Sequence, residues 1–276
     1  MKAMLLRVGM DKGYGDGFYG PIFRDYRFEF VPIPDDINEN KRMNDKNDKQ
    51  TFSKTLSRWE KISLSDYLPK LENIANRHIH YDPAFKATSH YDSEFKTTPY
   101  TYGDNGKNNG KLYSLMSLEK NDLLVFYAGL KPRSGDVPKE GLYLIGCFNV
   151  RRIAIRCRGE SVFKIVLKGK VTDEEIDSDE FKENSHIKFD DEIDYERHLV
   201  IIQGYDDGSK LLDEGIPISK KRDILCRNGK KVPHLWLSDE MQKELGVKEW
   251  SLVKSTPRVI DNSKGINYLR DILKVK

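Results

Sequence analysis

The stretch NDLLVFYAGLKPRSGDVPKEGLYLIGCFNV, residues 121–150, constrains the fold more than any other part of the chain. Its two apolar runs, 123–127 and 142–150, are rich in aliphatic and aromatic residues and too short for buried helices. Between them lies a polar segment carrying Pro132, Gly135, Pro138 and Gly141. This pattern predicts two paired strands joined by an exposed basic loop. Asn121 and Asp122 supply a turn before the first strand, and Gly146 inside the second marks a bulge or a close backbone approach. The expected product is a small, curved, partly closed sheet.

Charge narrows the function less than the fold. Charged residues make up 33% of the chain but the net charge is only +3, so the surface carries both signs densely. A purely electrostatic nucleic-acid binder would be more lopsided. Two local basic clusters stand out: Arg151, Arg152, Arg156 and Arg158, and Lys220, Lys221, Arg222, Arg227, Lys230 and Lys231. Each reads as a solvated face or as a phosphate contact. The three cysteines, Cys147, Cys157 and Cys226, form no CxxC pair, which argues against a disulfide framework and a zinc ribbon and fits a reducing cytoplasm. No apolar run is long enough for a signal peptide or a membrane span.

Residues 3–8 read as a first strand, 9–20 as a glycine-dense loop and about 27–33 as a second strand, giving an additional N-terminal hairpin. GDGFYG in the loop matches GxGxxG, but Pro21 and a strand follow where a dinucleotide site requires a helix. Residues 35–55 are rich in Asn, Lys and Asp and read as a polar insertion or loop in a single elaborated domain spanning 1–276. A capped helix is predicted from near Ser65, with Tyr67, Leu68, Leu71, Ile74 and Ala75 on its apolar face and Pro69 in its first turn.

Residues 78–104 carry HIHYDPAF, the near copy HYDSEF and then PYTYGD. His78, His80 and Asp82 form HxHxD, whose alternate side chains point the same way in an extended chain and have metal-ligand spacing. Two other readings stand beside it. In one, Asp82 and Pro83 begin a turn and the aromatic residues fill the core. In the other, His80, Asp82, Tyr102 and Asp104 line a base or nucleotide pocket. No metal and no cofactor is assigned.

Downstream, 153–155, 162–167 and 198–203 read as strands and 173–184 as an acidic, helix-prone surface segment. After a turn at Asp206, Asp207 and Gly208, SKLL opens a short helix or loop. Ser209 there is a helix cap or, with Lys210, a phosphate contact. Residues 238–245, ended by Gly246, and 263–273 read as helices.

NDLLVFYAG followed by GLYLIGCFNV resembles the core signature of PUA-like domains of the EVE, ASCH and YTH kind. That resemblance implies an α+β fold built on a PUA-like, partly closed β-barrel with flanking helices; several such barrels bind a modified base flipped out of a nucleic acid. A wider set of blocks resembles the nucleotide modification associated domain family, third type. They are LLRVGMDKGYG at 5–15, FEFVPIPD at 28–35, HYDPAF at 80–85, TYGD at 101–104, DLLVFYAGL at 122–130 and SKLLDEGIPIS at 209–219. This resemblance implies a site at Asp11, Lys12 and Tyr14, where Lys12 could hold a phosphate and Asp11 accept from a base amino group. The other reading there is a glycine hairpin with Lys12 in solvent.

Three classes of function follow. A reader of modified nucleotides needs rings for stacking, here Trp59, Tyr100, Tyr102 and Tyr127, with Arg151, Arg152, Ser209 and Lys210 for phosphates. An enzyme acting on a base would use Asp11, His80, Asp82 or Asp104 as acid, base or ligand, although no nucleophile elbow, Cys-His pair or zinc deaminase motif is present. An adaptor would work through protein contacts. The reader is the expectation carried forward, with nucleic acid as partner, DNA ahead of RNA, alongside the proteins of a base-modification or restriction system.

Overall fold

The 121–150 stretch folds as the strand pair its apolar pattern requires, and the main sheet is assembled against that pair. The computed structural model describes residues 1–9, 20–34, 51–86, 100–105, 109–181, 184–188, 197–225, 231–248, 250, 252 and 256–275. In chain order the elements are β1 (Ala3–Arg7), β2 (Gly20–Ile22), β3 (Ile33–Pro34), β4 (Ile79–His80), β5 (Thr101–Asp104) and α1 (Asn109–Met116). Next come β6 (Leu123–Pro132), β7 (Gly141–Arg156), β8 (Phe163–Leu167), β9 (Lys170–Ile176), α2 (Ser185–Lys188) and β10 (Leu199–Gly204). The set ends with β11 (Lys210–Pro217), β12 (Ser219–Leu225), β13 (Lys231–Leu237), α3 (Asp239–Leu245), β14 (Arg258–Ile260) and α4 (Ser263–Ile272).

The main sheet runs β14-β1-β6-β7-β10-β5, so the architecture is α+β and dominated by strands. Among the described residues the end strands β14 and β5 do not pair with each other, and the sheet is not closed into a barrel. Nor does β1 enter an N-terminal hairpin. Both of its sides are taken, antiparallel by β14 and parallel by β6, which leaves no ladder for a neighbour in sequence.

β6 is apolar from Leu123 to Leu130 because that part is covered on both faces, as a central strand requires. Leu124, Phe126, Ala128 and Leu130 join one core, while Leu123, Val125 and Tyr127 join another with residues of α3 and α4. The first core is centred on aromatic rings: Phe126 and Phe148 meet edge to face at 4.7 Å, and Phe85 packs edge-on against both. Each such pair adds about 0.5–1.5 kcal/mol beyond its buried area. The predicted irregularity at Gly146 is present. Phe126 pairs Gly146 but Tyr127 pairs Leu144, leaving Ile145 as the extra residue. A Cβ on Gly146 would lie 2.6 Å from the Lys210 carbonyl oxygen, so the close approach is real as well.

Other expectations are corrected. The helix from Ser65 is replaced by single 3-10 turns at Leu64–Tyr67 and Ile74–Asn76. The first is capped by Ser63, so Pro69 falls beyond the first turn, where its missing N–H breaks a helix, and Asn73 adopts a left-handed φ of 57°. Of the segment read as a polar insertion or loop, 35–50 lie outside the described residues, and in the remainder Phe52 is wholly buried. The acidic 173–184 segment gives the end of β9 and a 3-10 turn, Ser178–Phe181. SKLL enters strand β11, which pairs with β7. Helices α3 and α4 form where predicted, the first capped by Ser238 and ended by Gly246 at φ 65°, the second capped by Asn262. No helix among the described residues is long and apolar enough to cross a membrane.

Candidate functional site

Strand β5 lies at the end of the main sheet, and its ladder to β10 uses only one of its edges. The other edge is met by the chain at 82–84. Ala84 N–H donates to the Thr101 carbonyl at 2.8 Å, and Gly103 N–H donates to Asp82 Oδ1 at 2.8 Å. One carboxylate oxygen is thus spent on fixing Asp82 against the strand.

The two sides of β5 bring different chemistry to Asp82. On one side Asn184, wholly buried, donates through Nδ2 to Thr101 Oγ1 at 3.2 Å and accepts the His186 N–H through Oδ1 at 3.0 Å. Ser185 Oγ donates to the Tyr81 carbonyl at 3.0 Å. These bonds pin the start of α2 and present the His186 imidazole over Gly103, with Nε2 3.5 Å from Asp82 Oδ2. A Cβ on Gly103 would lie 3.2 Å from His186 Nε2 and closer still to Cδ2, so a side chain there would displace the ring. His80, at the end of β4, meets His186 edge to face, centroids 4.6 Å apart.

On the other side, Lys111 of α1 pairs with Asp104 Oδ2 at 2.5 Å and lies 5.2 Å from the Tyr102 ring centroid. Burial pushes the Tyr102 phenol well above its ordinary range, and the charges of Asp82 and Asp104 add to the shift. The side chains of Asp82, His186, Asp104 and Lys111 are sheltered without being sealed, between 9% and 19% exposed. Two imidazoles and a carboxylate thus meet on one face of β5, and a carboxylate, an ammonium and a phenol on the other, with the Asp82 charge also felt by the phenol; groups of these kinds suit proton transfer or the binding of a cation or a polar ligand.

Of the residues singled out in the sequence, His80, Asp82, Tyr102 and Asp104 come together here. His186, Lys111 and Asn184 join them without having been foreseen; Asn184 and Ser185 just before a histidine form a cap-like signal, but nothing local ties them to Asp82. The HxHxD set is corrected. Among the described residues, the group with ligand atoms in mutual reach is His80, Asp82 and His186, without His78.

The remaining candidates are placed elsewhere. Tyr127 is wholly buried in the core beneath α3 and α4, where its ring cannot stack on a base. Trp59 donates to the Phe28 carbonyl at 2.8 Å, and the guanidinium groups of Arg27 and Arg58 each lie 4.8 Å from its ring centroid. Arg152 binds Gln203 Oε1 at 2.6 Å and pairs with Glu180, and Arg151 is exposed. Arg156 is buried, so the arginine cluster is not one solvated face. Ser209 Oγ accepts from Asn149 N–H at 3.1 Å rather than capping a helix, and Lys210 Nζ donates to the Lys274 carbonyl at 3.1 Å. Asp11, Lys12 and Tyr14 lie outside the described residues.

Burial pushes the Cys147 thiol up to about 12 and also raises Cys157, so neither is poised as a nucleophile. No curated protein and no solved structure matches the chain significantly. A family profile does, over residues 2–268, nearly its whole length, and four of the site's residues, His80, Asp82, Tyr102 and Asp104, lie in the blocks that first pointed to it. The chain belongs to the nucleotide modification associated domain 3 family.

Proposed function

We infer from membership in that family a role in nucleotide modification systems. Within that role, we propose that the protein is an enzyme that installs, alters or removes a modification on a nucleobase, and that the His80, Asp82, Tyr102, Asp104, Lys111 and His186 site does the work. One observation carries the reading. Four separate segments deliver acid, base and cationic groups to one sheltered edge of the sheet. A reader relies instead on open ring faces, and the rings expected to serve are buried or clasped by arginines.

The substrate belongs to the same proposal: a base in nucleic acid, DNA ahead of RNA, with the protein working beside others of a modification or restriction system. So does kinship of the sheet to PUA-like domains, which the bulged β6–β7 pair supports. The test is incubation of the purified chain with single- and double-stranded oligonucleotides, unmodified and carrying a panel of modified bases, followed by mass analysis. A mass change lost in Asp82→Asn supports the enzyme. Selective binding with unchanged masses would replace it with a reader, and neither binding nor conversion would leave an adaptor.

A further inference from the structure

We infer that His80, Asp82 and His186 bind a single divalent first-row transition-metal ion, of the Zn2+ or Fe2+ class, with positions left open for water or substrate. The inference deepens the enzymatic reading of this site, but the ion can be detected without any substrate.

Geometry carries it. The ligand atoms of the three residues lie within 4.8 Å of one another. The 3.5 Å between His186 Nε2 and Asp82 Oδ2 is too long for a good hydrogen bond. It is close to the roughly 3.4 Å that separates two ligands bound at about 2.0–2.2 Å around a tetrahedral ion. The two imidazoles cross at 78°. A parallel stack would hold their in-plane lone pairs side by side, whereas crossed rings let those lone pairs converge.

The supporting shell has the form metal sites use. Gly103 N–H holds one Asp82 oxygen and leaves the other turned to His186. Asn184, wholly buried, fixes the backbone of His186. Asp104 is engaged by Lys111 and does not join the set. Two nitrogens and one oxygen suit Zn2+, Fe2+ or Mn2+ better than Mg2+ or Ca2+, which prefer all-oxygen shells. The three protein ligands found among the described residues match the number that catalytic zinc sites use.

The test is equilibrium dialysis of the chelator-stripped full chain against Zn2+, anaerobic Fe2+, Mn2+ and Mg2+, with elemental analysis, and a Co2+ titration followed by visible absorption. About one equivalent of Zn2+ or Fe2+ is expected, with little retained Mg2+. His80→Ala, Asp82→Asn and His186→Ala should each weaken binding by about 100-fold or more, and Asn184→Ala by about 10- to 100-fold. His78→Ala should bind as wild type. Circular dichroism of each stripped variant separates lost ligation from lost folding.

Substoichiometric metal after dialysis, or His186→Ala binding as tightly as wild type, overturns the inference. The first result leaves metal-free acid–base chemistry intact. A bound ion with no base conversion would instead sink the enzymatic reading and keep the metal site.

Discussion

Gly103 and His186 occupy one space: the imidazole sits where a side chain at 103 would go. A methyl group there must either push the ring away or be pushed itself, and the ring is the freer of the two because Gly103 is held in the β10 ladder and bonded to Asp82. Gly103→Ala is therefore expected to cost about 1–3 kcal/mol of stability, as overpacking does. It should also weaken metal retention as strongly as His186→Ala. Chemical denaturation and metal dialysis check both, and full retention with normal stability would refute the close approach.

Glu29 gives the fold a dependence on pH. It is 4% exposed, and loss of solvation raises its pKa to about 7, against the opposing effects of the Arg58 and Trp59 backbone N–H groups and the charges of Arg58 and Lys61. A charge on Glu29 in turn helps to raise the phenols of Tyr67 and Tyr81. The native state holds a proton that the unfolded chain has released, so this contribution is complete below about pH 4.5 and is lost as pH rises through about 7. Glu29→Gln should thus raise stability at pH 8 by up to about 3 kcal/mol while changing little at pH 4.5. Urea titrations at the two values decide it; an equal effect at both would contradict the shift.

Asn262 joins two helices. Its Oδ1 accepts from Gly265 N–H at 2.8 Å as the cap of α4, and its Nδ2 donates to the Leu245 carbonyl at 2.9 Å at the end of α3. Asn262→Ala should cost about 1–2 kcal/mol. Asn262→Asp keeps the cap but loses the donor, so its cost should fall between alanine and wild type. Thermal melts of the three proteins provide the ordering.

Tyr127 separates packing from recognition. Its ring is wholly buried among Leu123, Val125 and the residues under α3 and α4. Tyr127→Ala should cost about 3–5 kcal/mol, as loss of a buried aromatic does. A stable Tyr127→Ala protein that had only lost affinity for an oligonucleotide would overturn this placement.

What could be read in advance was local. The β6–β7 pair, its bulge at Gly146, and the caps at Ser238 and Gly246 each depend on residues close in sequence or on a single alternation. Ser209 shows where such reading fails. A hydroxyl before an apolar run is equally a helix cap or a tertiary acceptor, and here Asn149 N–H decides for the second. Pro69 and the left-handed Asn73 defeated an apolar stripe that would otherwise have made a helix. In the site, Asp82 and Asp104 stood in conspicuous motifs, but His186 and Lys111 reach them only through the placing of α2 and α1 against β5. No periodicity records a meeting of that kind.

The end strand of a sheet is a template for another chain, because its outward N–H and C=O groups lack partners. On β5 those groups are met by Asp82 and Ala84. The carboxylate that helps to form the site therefore also keeps this border of the sheet from recruiting a foreign strand. On the proposed reading one side chain serves both the site and the border of the sheet, so drift at position 82 would be opposed by self-association as well.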